Sequence, residues 1–163
     1  MDVRFTYLDK SQRAKIAPAL FEILYANMNE IAPTGNKKIA DREFWLKNWL
    51  LSIAQEHRQV VCMYFSEELA GYFQYSLQEN TLFMEEIQIQ KKFQGIGLFS
   101  ALFYWLVGQL PSSLCFVRAN ADKRNTKSQG ILQSMGLSIC GENSNGVSFC
   151  FQGAYADIVR KYS

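Results

Sequence analysis

Histidine is close to absent from this chain of 163 residues, where His57 stands alone. One imidazole leaves no site built on several histidines. The four cysteines, Cys62, Cys115, Cys140 and Cys150, lie far apart with no CxxC pair among them. That spacing points to reduced, buried thiols in a cytosolic protein rather than to disulfides or a metal centre. An excess of one charge is also missing, since 17 lysines and arginines face 15 aspartates and glutamates for a formal net charge of +2. So mild a balance, spread along the chain, argues against nucleic acid or an anionic membrane as partner. Long apolar runs are lacking too. The most apolar stretch, Ile96 to Val107, falls short of the roughly 20 residues that cross a bilayer. Met1, Asp2, Val3 and Arg4 do not open a secretory signal, so the expected location is cytoplasmic. No repeat, linker or low-complexity tract marks a domain boundary.

What is present suffices for one core. With 48% hydrophobic and 20% charged residues, residues 1–163 read as a single domain. Val3 to Tyr7 alternates as a first strand. Ser11 is placed to cap a helix from about Gln12, with Ile16, Leu20, Ile23, Leu24 and Met28 on one face and Pro18 in its early part. Pro33, Thr34, Gly35 and Asn36 break the chain. A second helix is expected after Asp41 as N-cap, and Phe44, Trp45, Leu46, Trp49, Leu50 and Ile53 give it a face wider than a stripe. Most of that face belongs in a core; aromatics left outside it would suit a substrate pocket or a homodimer contact. His57 ends this helix and complements its dipole. Strands follow at Gln59 to Phe65, Leu69 to Leu77 and Thr81 to Ile89, joined by tight turns. Then come a glycine turn, an apolar helix to about Leu110, a short strand from Leu114 to Arg118, and a helix from Thr126 to Met135 ended by Gly136. A hairpin of Ile139 to Gly141 and Val147 to Gln152, and a short last helix, close the chain. The order describes an α/β fold with a mixed, mainly antiparallel central sheet flanked by helices. A dinucleotide-binding unit would carry its glycine loop after an early strand, not past mid-chain.

The glycine turn runs Gln94, Gly95, Ile96, Gly97, Leu98, Phe99, Ser100. Residues without Cβ let backbone N–H groups close on a bulky anion, and a helix N-terminus adds partial positive charge. A ligand-free tight turn would have the same spelling. The strand before it carries adjacent carboxylates. By alternation Phe83, Glu85, Ile87 and Ile89 share one face, and Leu82, Met84, Glu86 and Gln88 the other. In an internal strand at least one glutamate is poorly solvated, which raises its pKa and suits it to accept a proton. A paired or edge-exposed carboxylate with no chemistry fits the position equally well.

The turn resembles the acyl-CoA-binding signature (Q/R)xxGx(G/A) of the GCN5-related N-acetyltransferases (GNAT), with Gln94 first, Gly97 fourth and Phe99 sixth. Leu69, Ala70, Gly71 and Tyr72, the run Asn125 to Leu137, and the order of elements are similar to the same family, over roughly Gln59 to Phe151. The resemblance implies the GNAT fold and acetyl-CoA as cosubstrate, with no metal. It implies acetyl transfer to a primary amine of a small-molecule or peptide acceptor, by direct attack in a ternary complex. Glu85, four residues before Ile89, would be the general base, with Glu86 in reserve. Ile87, Gln88 and Ile89 would run beside the pantetheine arm, a backbone N–H near Ile87 or Gln88 meeting the oxyanion. Gln94, Gly95, Ile96, Gly97, Leu98, Phe99 and Ser100 would hold the phosphates, and Asn125 and Ser128 would contact the pantetheine.

Two positions depart from the family pattern. Leu132 stands where many members have the tyrosine that protonates the leaving thiolate, and Phe99 replaces a small residue. The first departure suits a protein that binds CoA or acyl-CoA without catalysis. An interaction module using Trp45 and Trp49 is the other alternative. Lys91, Lys92, Lys123, Arg124 and Lys127 fit either the neighbourhood of phosphates or a solvated surface. Glu30 to Trp49, the segment expected to choose the acceptor, favours no one ligand.

Overall fold

A computed structural model describes residues 2–55 and 57–163. The elements are β1 (Val3–Tyr7), α1 (Arg13–Ile31), α2 (Lys38–Ile53), β2 (Arg58–Phe65), β3 (Glu68–Gln78), β4 (Thr81–Ile89), α3 (Leu98–Val107), β5 (Phe116–Asp122), α4 (Thr126–Ser134), β6 (Ser138–Glu142), β7 (Ser148–Ala154) and α5 (Tyr155–Tyr162). The strands form one seven-stranded sheet in the order β1-β2-β3-β4-β5-β7-β6. β4 and β5 run parallel, whereas β1 with β2, β5 with β7 and β6 with β7 are antiparallel. The chain divides into two compact units, one reaching to Gln74 and including Glu86–Leu98, the other made of Tyr75–Glu85 and Phe99–Ser163.

In the first unit Ala17 and Leu20 of α1, Trp49 and Ile53 of α2, Val60 and Cys62 of β2, and Tyr72 of β3 form one buried cluster. Trp45 stacks on Trp49 at 5.1 Å, and Trp49 Nε1 donates to Gln74 Oε1 at 2.8 Å, so the buried indole is satisfied. Trp49 therefore faces the core and Trp45 packs partly buried against it, while Phe44 is left 72% exposed. Both helix starts differ from expectation. Asp9, not Ser11, is the cap: its carboxylate accepts from the Ser11 N–H at 3.0 Å and opens a 3-10 turn, Lys10–Gln12, before α1. α2 begins at Lys38 because Asp41 is not a cap; its carboxylate instead takes hydrogen bonds from Thr34 Oγ1 at 2.7 Å and Asn36 Nδ2 at 3.4 Å, tying the preceding turn to the helix.

The second unit is built on β5, which pairs with β7 from Phe116↔Ala154 to Asp122↔Ser148. That ladder carries the strand to Asp122, beyond the expected end at Arg118. α3 stops at Val107, where the Gln109 and Leu110 amides both turn back to the Leu106 carbonyl. Gly136 ends α4 with φ 94°, a left-handed step glycine takes without strain. Of the cysteines only Cys62 is fully buried, its thiol pushed up to about 11 by burial; Cys115 and Cys140 are exposed.

The closest backbone approach lies in the first unit. A Cβ on Gly71 would stand 2.2 Å from the Gln88 carbonyl oxygen and 3.0 Å from Ile89 Cα. Neither neighbour is a side chain that can swing aside. Gly71→Ala is therefore expected to cost about 2 kcal/mol or more and to lower the melting temperature by roughly 5 °C, as read by calorimetry. An unchanged midpoint would contradict this packing of β3 on β4.

Candidate active site

The two glutamates of β4 meet different surroundings. Glu86 is half-buried, and its Oε1 accepts from Gln88 Nε2 at 2.6 Å. Gln88 Oε1 in turn accepts from Asn27 Nδ2 at 2.9 Å. Burial raises the Glu86 carboxyl from 4.5 to about 7, with the Gln88 hydrogen bond pulling the other way. The Tyr72 phenol is pushed well above its ordinary range, first by burial and then by the Glu86 charge, and its buried hydroxyl has no hydrogen-bond partner among the described residues. Glu85 lines a cavity of about 420 Å³ in the second unit, with Ser76, Gln78, Phe83, Arg118 and Asn120. That volume is of the order of a small-molecule site.

The β4–β5 ladder runs only from Thr81↔Phe116 to Met84↔Ala119. β4 continues to Ile89. Extended backbone past the end of a ladder is what an extended ligand can pair with.

After β4 a 3-10 turn, Lys91–Phe93, precedes the glycines; it was not legible in the sequence, and it is pinned by Phe93 packing on Phe65 at 5.4 Å. Gln94 Nε2 donates to the Ile89 carbonyl at 2.9 Å. Gly95 and Gly97 then take φ of 78° and 88°, left-handed steps open to glycine. Gly95, Ile96 and Gly97 are exposed, and none of the described residues lies within 4 Å of where a Gly95 Cβ would be. The turn thus carries uncovered backbone directly into the first residue of α3. Leu98 buries its side chain, leaving only its backbone for a ligand. Phe99 packs against Phe103 at 4.9 Å, along the helix.

Asn125 caps α4, its Oδ1 accepting from the Ser128 N–H at 3.1 Å. Leu132 is buried in the same helix. The flanking cations are paired: Lys91 with Glu30 at 3.4 Å, Lys92 with Glu68, Lys123 with Glu142 at 2.9 Å and Arg124 with Asp122 at 2.9 Å. His57 is exposed in the turn before β2. Sequence reasoning missed Asn27 and Arg118, which belong to no motif. Alternation along β5, with Arg118 and Asn120 on one face, was the available signal. Among the described residues no cluster of His, Cys, Asp and Glu could hold a metal ion, and no helix is long and apolar enough to cross a membrane.

A mixed seven-stranded sheet flanked by five helices, with an open glycine turn between β4 and α3, is the fold of the GNAT acetyltransferases. The resemblance in individual structures is extensive. An acetyltransferase from Thermus thermophilus matches with a TM-score of 0.74 at 13% identity, over 94% of this chain and 97% of that one. The PaiA N-acetyltransferase from Thermoplasma acidophilum, in complex with coenzyme A, matches with a TM-score of 0.73 at 11% identity, over 95% and 100%. AAC(6')-Ib in complex with paromomycin and acetyl-CoA matches with a TM-score of 0.70 at 16% identity, over 100% and 99%. No protein-family model and no curated protein matches the sequence.

The Glu86 shift has a stability consequence of definite sign. Between about 4.5 and about 7 the folded protein holds a proton that the unfolded chain has lost, so this group lowers stability as pH rises through that window. Glu86→Gln keeps an oxygen for Gln88 and removes the charge. Its melting temperature relative to the parent should therefore be higher at pH 8 than at pH 4. An offset equal at the two pH values would refute a desolvated Glu86.

Proposed function

We propose that the protein is an acetyl-CoA-dependent N-acetyltransferase, residues 1–163 acting as one domain on a primary amine of a small molecule or peptide. The observation that carries this reading is the exposed, left-handed glycine turn leading from β4 into α3 within a GNAT fold. Backbone N–H groups from Gln94 to Ser100, with the positive end of α3, suit the diphosphate of acetyl-CoA. Ile87, Gln88 and Ile89 would pair with the pantetheine arm, and Asn125 and Ser128 would contact its amides.

Glu85 is assigned as the base because it lines the cavity, whereas Glu86 does not. The acceptor ammonium gives a proton to Glu85, directly or through a water. The freed amine nitrogen forms a bond to the thioester carbonyl carbon, and the oxyanion is met by a backbone N–H near Ile87 or Gln88. The C–S bond then breaks. The thiolate leaves, and the second proton lost by the amine nitrogen reaches the sulfur through water, giving the acetamide and CoA thiol.

Leu132 favours a second reading, a protein that binds CoA without turnover. Melting with acetyl-CoA and thiol release with a panel of amines separate the two. Millimolar acetyl-CoA should raise the melting temperature, because a ligand of the native state stabilises it; no rise would leave an interaction module as the better reading. At least one amine should release CoA, and Glu85→Gln should lower kcat by about 10² to 10⁴ with the KM for acetyl-CoA unchanged. Binding with no release by any amine would favour the second reading. Full activity of Glu85→Gln would remove the base assignment.

A further inference from the structure

The cavity wall carries one charge of each sign. Among its described residues Glu85 is the carboxylate and Arg118 the cation. Arg118 and Phe83 are partners in the parallel β4–β5 ladder, and the guanidinium lies 5.8 Å over the Phe83 ring. An aromatic ring under a guanidinium holds the planar fork flat and leaves its N–H edge free to bind an oxyanion. Among the described residues no carboxylate forms an ion pair with Arg118, which is exposed. Asn120 lies two residues on along β5 and is paired with Cys150 of β7. Both line the same cavity, so the wall continues from the guanidinium as neutral polar groups. Glu85 is two residues beyond Phe83, about 7 Å along the strand.

We propose that the acceptor is amphoteric, carrying a carboxylate or phosphate a short spacer from its amine, and that Arg118 binds this anion while Glu85 meets the amine. The inference rests on the acetyl-transfer reading and specifies its acceptor. A cavity of about 420 Å³ suits an amino acid, a dipeptide or a small phospho-amine. A polyamine would bring further positive charge against Arg118 with a single carboxylate to receive it. The arginine fork also explains a choice between otherwise equal amines, because a hydrogen-bonded charge pair alters affinity by about tenfold or more.

The test measures CoA-thiol release with matched acceptor pairs: amino acids and dipeptides against their C-terminal amides, and phosphoethanolamine against ethanolamine. The acidic member of at least one pair should have kcat/KM about tenfold or more above its neutral partner, mainly through KM. The carboxylate and phosphate arms show which anion is taken. In Arg118→Gln that ratio should fall to about one; the side chain is exposed, and an unchanged melting temperature shows that the fold survives. Equal rates within every pair, or a preference that survives Arg118→Gln, overturns the proposal. Release with spermidine or other anion-free amines alone also overturns it and leaves acetyl transfer standing. Release with no amine overturns both.

Discussion

Two side-chain amides converge on one backbone carbonyl at the end of β4. Asn27 of α1 and Gln94 of the glycine turn each donate to Ile89 O at 2.9 Å. A carbonyl has two lone pairs, and here both are used at the point where the strand stops. Each bond contributes only about 1 kcal/mol, but together they fix where the uncovered backbone of the turn begins. The same Asn27 amide donates to Gln88 Oε1, which leaves the Gln88 nitrogen to face Glu86. Reversing the Gln88 amide would set an oxygen against a carboxylate. One asparagine therefore orients the loop anchor and, through Gln88, the side chain of Glu86.

Two adjacent carboxylates of β4 thus have different surroundings. Glu86 sits against desolvating neighbours and beside a buried phenol, and it protonates near neutrality. Glu85 lines an open cavity whose other charge is Arg118.

The sequence made β4 legible from Thr81 to Ile89, because period-two alternation between two turn signals leaves little freedom in the bounds. α4 was legible for a related reason, an asparagine cap at one end and a glycine at the other. Where side chains served distant or non-local partners, local reading failed. Asp41 has the chemistry of a cap, yet Thr34 and Asn36 claim it. β5 ends where its ladder with β7 ends, a fact no window of β5 contains. The motif residues of the glycine turn were visible in one dimension. Arg118 was not, since its meaning comes from Phe83, thirty-five positions away in sequence and adjacent in the sheet.

Leu132 is compatible with the proposed reaction once the two proton transfers are compared. A lysine-like ammonium of pKa about 10.4 must lose its proton before it can attack, which at pH 7 is worth about 4.6 kcal/mol. A CoA-like thiol of pKa about 8.5 leaves as thiolate at a disadvantage of only about 2 kcal/mol at the same pH. The base therefore carries the larger share of the proton work. A helix that uses Leu132 for packing gives up the smaller of the two contributions. A strand that kept no carboxylate at Glu85 would give up the larger one. On this comparison, loss of the tyrosine slows an acetyltransferase less than loss of the carboxylate would.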